Sequence, residues 1–151
     1  SAATGCSLAL CSCIWPEHLI ALMVGFASSF TAKLSDTFSS EIGKRFGKRT
    51  FLITSLKPVA PGTEGAISLE GSLAGLLGSL VMTVVMFNLS IISGISVAFI
   101  VLFSGYLATI LESYIGALVQ NKIVWMTNEL VNSIQTSIAA IISIFLYLNI
   151  M

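Results

Sequence analysis

Carboxylates, hydroxyls and a lysine recur at helical spacing in the segment SDTFSSEIGK of this chain. Five of them share or adjoin one face of a helix: Asp36, Thr37, Ser40, Glu41 and Lys44. Carboxylate and hydroxyl oxygens are hard ligands that suit Mg²⁺, which commonly takes one or two carboxylates and completes its shell with substrate phosphates and water. The segment therefore predicts a site that holds a phosphate compound together with a magnesium ion. The alternative is an ordinary solvated helix end whose charges form ion pairs.

A proline- and glycine-rich loop, KPVAPGTEG, follows this segment. Its two prolines stiffen the backbone, while Gly62 and Gly65 can adopt positive φ angles. Backbone N–H groups in such a turn, here around Thr63 and Glu64, can form a concave site for an anion. Lys57, at the start of the loop, would add a point charge for phosphate. The alternative is a loop that merely turns the chain.

Glu112 stands inside the otherwise apolar segment YLATILESYIGALVQ. An unpaired carboxylate at membrane depth is costly and so marks a functional site by default. The alternative is a carboxylate that is hydrogen-bonded by Ser113 or paired for packing. A polar stripe follows on the last apolar segment, where Asn128, Asn132 and Gln135 recur at helical spacing. The stripe is either part of the polar site or a set of contacts that hold helices together.

The composition places these residues in a membrane protein. Hydrophobic residues make up 56% of the 151 positions and charged residues only 9%, whereas soluble domains carry about 25% charged residues. The mean hydropathy is +0.98. Zero net charge argues against a nucleic-acid partner, and the three cysteines and one histidine match no zinc or redox spacing. We expect one integral membrane domain over residues 1–151, an all-α polytopic transmembrane helical bundle.

Four segments are apolar enough to span a bilayer, for which about 20 residues are needed. The first covers about 15–32 and is expected to continue helically through SDTFSSEIGK. The others cover about 66–87, 91–119 and 128–150. The third is too long for one straight span, and Ser104–Gly105 predicts a kink or break there.

The basic residues predict how these spans are oriented. Six of the seven Lys/Arg lie in residues 33–57, so this stretch should face the cytoplasm or stroma. Alternating the spans then returns Glu112, the polar run 120–122 and the start of the last helix to the same side. The topology alone therefore predicts that three polar clusters, remote in sequence, meet on one face.

Small residues recur every three or four positions at the start of the second span. They are Gly71, Ala74, Gly75, Gly78 and Ser79. Such a stripe lets helix backbones approach closely in lipid. We interpret it as a packing surface.

The segments SDTFSSEIGKRFGK, LITSLKPVAPGTEGAISLEG, LESYIGALVQNK and TNELVN together resemble the membrane prenyl-phosphate kinases of the plant vitamin E pathway, the phytyl-phosphate kinase family. The similarity runs from about Ala21 to the C-terminus. It implies phosphoryl transfer from a nucleoside triphosphate, with CTP favoured, to phytyl or another prenyl monophosphate. The product would be the diphosphate used for tocopherol and phylloquinone. A chloroplast envelope or cyanobacterial membrane is also implied, with the site facing the stroma or cytoplasm.

The resemblance also implies roles for individual residues. Asp36, Glu41 and Glu112 would hold Mg²⁺ and act in catalysis. Nucleotide and phosphate groups would be bound by Ser40, Lys44, Lys57, Gly62, Thr63, Glu64, Gly65, Asn128 and Asn132. Family members usually have further helices upstream, so the chain is expected to be N-terminally truncated relative to them.

Two other functions remain open at this point. In a transporter or ion-binding membrane protein, Asp36, Glu41 and Glu112 would line a translocation path. Transporters usually place such groups near the bilayer midplane and often show repeated halves, whereas here the charges gather on one side and no repeat is visible. The chain could also be an inactive assembly subunit. The sequence does not fix the prenyl chain length, the preferred nucleotide or the oligomeric state.

Overall fold

The computed structural model describes residues 2–120 and 127–151. Within them lie five α-helices and one pair of short strands. The helices are α1 (Ala2–Ile14), α2 (Leu19–Phe46), α3 (Leu69–Asn88), α4 (Ile95–Ile115) and α5 (Asn128–Ile150), and the strands are β1 (Phe51–Leu52) and β2 (Ala66–Ile67). Helices α2 to α5 are long and apolar enough to cross a membrane. The predicted all-α bundle with four spans is therefore confirmed. Helix α1, which the sequence did not predict, is 13 residues long and too short to span a bilayer.

Helix α2 is the centre of the bundle and packs against each of the four other α-helices. It is 28 residues long and ends where Gly47 donates its N–H to the carbonyl of Gly43. The apolar first half and the polar SDTFSSEIGK segment form one continuous helix, as predicted. Since an α-helix rises 1.5 Å per residue, α2 is about 42 Å long. It therefore carries the polar residues beyond the apolar part of the bundle on a rigid support.

The small-residue stripe of α3 packs directly on α2. A Cβ atom at Gly71 would lie 2.8 Å from the carbonyl oxygen of Ser39, and one at Gly78 would lie 2.9 Å from that of Leu34. Both separations are too short for a real carbon–oxygen contact. The stripe therefore lets the two backbones meet, and this close contact holds the polar half of α2 against the start of α3.

We predict that Gly75→Val destabilises the bundle by about 1–3 kcal/mol, the usual cost of overpacking. A Cβ at Gly75 would already lie 3.1 Å from Ser39 Cβ and 3.3 Å from the Ser35 carbonyl oxygen. The matched control is Leu73→Val on the exposed face of the same helix, which should change stability by less than about 0.5 kcal/mol. Thermal unfolding in detergent micelles measures both. Equal melting temperatures for the two variants would contradict the packing role.

Of the kink or break expected at Ser104 and Gly105, the break is wrong, because α4 stays α-helical through both residues. Gly105 instead permits close packing, because an added Cβ would lie 2.5 Å from Thr31 Cγ2 and 3.1 Å from the Ala32 nitrogen on α2. The irregularity lies later in the segment, where residues Gly116–Gln120 form a π-helical turn. The irregularity of the third apolar segment therefore lies at its C-terminal end and not at its middle.

The two strands close the proline- and glycine-rich loop at its base. They pair antiparallel, with Phe51 opposite Ile67 and Leu52 opposite Ala66. Further backbone bonds tie the loop inward: the Ile53 N–H donates to the Gly65 carbonyl at 3.0 Å. The sequence did not predict these strands. Together with the α2–α3 contact, they fix where the loop lies relative to the helices.

Candidate functional site

A cavity of about 290 Å³ lies where α2, the loop, the end of α4 and the start of α5 meet. Ten of the twelve residues to which the resemblance assigns roles line it: Asp36, Ser40, Glu41, Lys44, Gly62, Thr63, Glu64, Gly65, Glu112 and Asn128. They come from four stretches of chain separated by up to 92 positions. The convergence expected from the alternation of spans is present in the structure.

Asp36 is held by a lysine one turn before it. Lys33 Nζ donates to Asp36 Oδ2 at 2.8 Å and to Asn132 Oδ1 on α5 at 2.9 Å. The Asp36 side chain is only 15% exposed and that of Lys33 is 33% exposed. Asn132 does not line the cavity itself, and it acts on the cavity through Lys33. This three-residue cluster, which we call the Lys33 clamp, joins α2 to α5 at the cavity wall.

Glu112 occupies the last turn of α4 and is partly buried. It lies within electrostatic range of two other carboxylates, Asp36 and Glu64, and of the Lys33 ammonium. Ser113 donates its hydroxyl to the Thr109 carbonyl at 3.3 Å, so this hydroxyl is engaged along its own helix. Within residues 2–120 and 127–151, no ion pair joins Glu112 to a cation. The carboxylate therefore faces a cavity in which negative charge is concentrated.

Glu41 and Lys44 form the outer, solvent-exposed part of the lining. Their charged atoms are 3.8 Å apart, and the side chains are 70% and 55% exposed. An exposed pair of this kind contributes little stability. Both side chains are therefore free to reorient when a charged ligand enters.

The loop around Gly62 and Gly65 has the backbone geometry that its composition predicts. Gly62 has φ = 87° and Gly65 has φ = 73°. The Thr63 hydroxyl donates to the Ala60 carbonyl at 2.7 Å, which tightens the turn. Gly65 also packs on the end of α4: a Cβ there would overlap Ala117 and lie 2.6 Å from the Ser113 carbonyl oxygen. The loop is thus anchored to the helix that carries Glu112.

Some of the polar residues singled out in the sequence lie elsewhere. Lys57 is exposed and outside the cavity lining, while its carbonyl accepts the Leu52 N–H at 2.9 Å. Gln135 is fully buried and donates to the Ala32 carbonyl at 3.3 Å and to Thr109 Oγ1 at 3.2 Å. The alternative reading of Gln135, a contact that holds helices together, is the one observed. Residues 121 and 122 of the polar run 120–122 lie outside the described residues.

Lys33 is the cavity residue that sequence reasoning missed, because we used it only to orient the spans. Its three-residue spacing from Asp36 was a usable signal, since such pairs are neighbours on a helix. Its contact with Asn132, 99 positions away, had no local signal. Ser68 was also missed: it lines the cavity and caps α3 by accepting the Gly71 N–H at 3.1 Å.

The described lining of the cavity is acidic. It contains four carboxylates (Asp36, Glu41, Glu64 and Glu112) and two lysines (Lys33 and Lys44), which gives a net charge of −2 when all are ionised. A polyphosphate would be repelled from this lining unless a cation accompanied it. The charge balance therefore favours a ligand that brings a divalent metal.

The carboxylates of the cavity fit a magnesium ion that takes its remaining ligands from phosphates and water. In the described part of the chain, no three His, Cys, Asp or Glu side chains are grouped closely enough to hold a metal by themselves. Asp36, Glu41 and Glu112 are accordingly not gathered into a three-carboxylate centre. Mg²⁺ commonly uses only one or two carboxylates and takes its other ligands from phosphates and water. The more enclosed carboxylates, Asp36 and Glu112, suit that role.

The sequence of this chain is similar to those of other membrane proteins. A family model described as "Integral membrane protein DUF92" matches residues 1–140. An uncharacterized membrane protein of the cyanobacterium Synechocystis is 48% identical over 145 residues, covering 95% of this chain and 56% of that protein. The chloroplastic protein VTE6 of Arabidopsis thaliana is 48% identical over 125 residues, covering 82% of this chain and 37% of that protein.

An archaeal relative shows that the similarity is not confined to photosynthetic organisms. An uncharacterized membrane protein of Methanocaldococcus jannaschii is 35% identical over 125 residues, covering 83% of this chain and 51% of that protein. The chain thus spans between 37% and 56% of the length of these relatives. No solved structure matches it.

Proposed function

Because the chain belongs to the DUF92 family of integral membrane proteins, we propose that it is a prenyl-phosphate kinase. Its relationship to the chloroplastic protein VTE6 supports a role in the vitamin E pathway. The reaction proposed is transfer of the terminal phosphoryl group of a nucleoside triphosphate, CTP being favoured, to phytyl or another prenyl monophosphate. The membrane would be a chloroplast envelope or a cyanobacterial membrane, with the cavity facing the stroma or cytoplasm.

The observation that carries this proposal is the convergence of the motif residues on one polar cavity at the end of a membrane bundle. Ten residues chosen for phosphate and metal chemistry line a volume of about 290 Å³, while exposed apolar side chains cover much of α3 and α5. A substrate with a charged head and an isoprenoid tail has the same two parts. The tail would remain in the bilayer beside the apolar helices, and the phosphate would enter the cavity.

Phosphoryl transfer needs positioning and charge neutralisation more than a nucleophile supplied by the protein. An oxygen of the prenyl phosphate would attack the terminal phosphorus of the nucleotide, and the bond from that phosphorus to the bridging oxygen would break, releasing the nucleoside diphosphate. The acceptor phosphate is already ionised near neutral pH, so a strong base is unnecessary. Lys33 and Lys44 would bind phosphate oxygens, and the Gly62–Gly65 turn would fix their position. Asp36 and Glu112 would hold Mg²⁺, which would supply positive charge to offset the negative charge of the phosphate groups.

The structure favours a kinase over a transporter in one respect. The carboxylates gather where the N-terminal ends of α3 and α5 meet the C-terminal end of α4, not halfway along the bundle, where transporters place their binding sites. At the other end, a core of apolar residues fills the space between α2, α3 and α4, with Val24, Met86 and Val101 among its members. A path for ions between these three helices would have to pass through that core.

A direct assay tests the proposal. The full-length protein, in detergent or lipid nanodiscs, is incubated with Mg²⁺, CTP labelled in the terminal phosphate, and phytyl phosphate. We expect labelled prenyl diphosphate, no product without Mg²⁺, and no product when phytol replaces phytyl phosphate. If the full-length protein gives no labelled diphosphate with any nucleotide, the kinase function is wrong. Ion flux through liposomes containing the protein would then support a transporter, and the absence of flux an assembly subunit.

A further inference from the structure

The Lys33 ammonium contacts two oxygen atoms of the kind that bind metal cations. It lies 2.8 Å from a carboxylate oxygen of Asp36 on α2 and 2.9 Å from an amide oxygen of Asn132 on α5. Carboxylate and amide oxygens are also the ligands of hard divalent cations. The clamp therefore fills, with a side chain, a two-oxygen cation position at the cavity wall.

A metal ion and the Lys33 ammonium would repel each other if both contacted the Asp36 carboxylate, because like charges a few ångströms apart in a partly buried site interact strongly. The lysine is the partner that can move. Its charge is carried on a flexible four-carbon stem, its side chain is one-third exposed, and it already lines the cavity. Asp36, only 15% exposed, is held in the C-terminal half of a continuous helix.

We propose that Lys33 is a phosphate-binding residue that exchanges with a divalent cation. In the cation-free protein its ammonium neutralises Asp36 and ties α2 to α5. When a divalent cation binds to Asp36, the ammonium leaves the carboxylate and turns into the cavity, where its three N–H donors meet phosphate oxygens. This exchange rests on the metal-dependent phosphate site of the proposed function and adds an order to it: the metal binds first, and its binding creates the cationic phosphate contact.

The other lysine–carboxylate pair of the lining does not have this geometry. Lys44 and Glu41 are 3.8 Å apart, beyond hydrogen-bond distance, and both are more than half exposed. No second helix contributes an oxygen to that pair among the hydrogen bonds of the described residues. A metal-dependent change is therefore expected at Lys33 and not at an exposed lysine outside the cavity, such as Lys48.

Binding of Mn²⁺ alone, measured on the full-length protein by electron paramagnetic resonance, tests the exchange. Lys33→Met should bind Mn²⁺ about tenfold more tightly than the unmodified protein, because the competing charge is gone. Lys33→Arg should retain the unmodified affinity, Lys48→Met should change it by less than about twofold, and Asp36→Asn should lose the tight site. Unchanged or weaker Mn²⁺ binding by Lys33→Met would overturn the proposal, since a lysine that only holds helices together gives no gain in metal affinity.

A second measurement needs no variant and so remains decisive if Lys33→Met does not fold. The unmodified protein is treated with formaldehyde and a mild hydride donor, and methylation of each lysine is followed by mass spectrometry with and without Mn²⁺. We expect Lys33 to be methylated several times faster when Mn²⁺ is present, while Lys48 is unaffected. An equal or slower rate at Lys33 would contradict the exchange. Neither experiment measures phosphoryl transfer, so the exchange and the kinase function can fail independently.

Discussion

Replacing Glu112 with glutamine is expected to lower the kcat/KM of prenyl-phosphate phosphorylation by about 10²–10³-fold, the usual loss when one electrostatic group is removed from a catalytic site. The amide keeps the size of the side chain and removes its charge. Glu112 is the one carboxylate that α4 contributes to the cavity lining, and it lies in electrostatic range of Asp36 and Glu64. Its loss should therefore weaken the hold on Mg²⁺, and a higher Mg²⁺ concentration should recover part of the rate. Turnover with labelled CTP measures the effect.

The matched control is Glu129→Gln. Glu129 lies in the first turn of α5, it is exposed, and it does not belong to the cavity lining. Removing its favourable interaction with the helix N-terminus should lower stability only slightly and change turnover by less than about twofold. Full activity of Glu112→Gln, or an equal loss in both variants, would remove Glu112 from the site.

Replacing Gly65 with alanine is expected to cost far more than the same change at Gly62. Both glycines have positive φ angles, a conformation that costs an alanine about 1–2 kcal/mol. Only Gly65 also faces another element, because its Cβ would overlap Ala117 and crowd the Ser113 carbonyl. Gly65→Ala should therefore lose about 1–3 kcal/mol more through overpacking. It should also shift the loop away from Glu112, with a loss of activity of at least tenfold.

Gly62→Ala measures the cost of the positive φ angle alone, because nothing lies within 4 Å of its added methyl group. Thermal unfolding and turnover of the two variants in the same detergent give the comparison. If both lose stability and activity equally, the contact between the loop and α4 has no role in forming the cavity.

The broad arrangement of this protein could be predicted because it depends on one-dimensional signals. Hydropathy marks the spans. Alternating the spans was then enough to bring Asp36, Glu112 and Asn128 to the same end of the bundle. The continuous helix α2 was also predictable, because SDTFSSEIGK keeps helical spacing without a proline.

What the sequence did not reveal depends on contacts between remote residues. Lys57 was expected to bind phosphate, but the pairing of β1 with β2 and the bridge between Phe51 and Pro58 set the direction of the loop, and they leave Lys57 outside the cavity. Lys33 was overlooked because its second partner comes from α5. At Gly105 the sequence signal was ambiguous, since a glycine that weakens a helix also lets a neighbour approach, and here the neighbouring helix decided the outcome.

Because α2 is one uninterrupted helix, the thickness of the bilayer should affect where the cavity lies relative to the membrane surface. The helix is about 42 Å long, against about 30 Å for a typical hydrocarbon core, and the described chain shows no hinge between its lipid-facing turns and the turn that bears Asp36. In a thicker membrane the cavity would thus lie closer to the headgroups, and in a thinner membrane it would lie farther out in water. Sterol content and acyl-chain length, which set that thickness, would change the access of solvent to the cavity without contacting any residue that lines it.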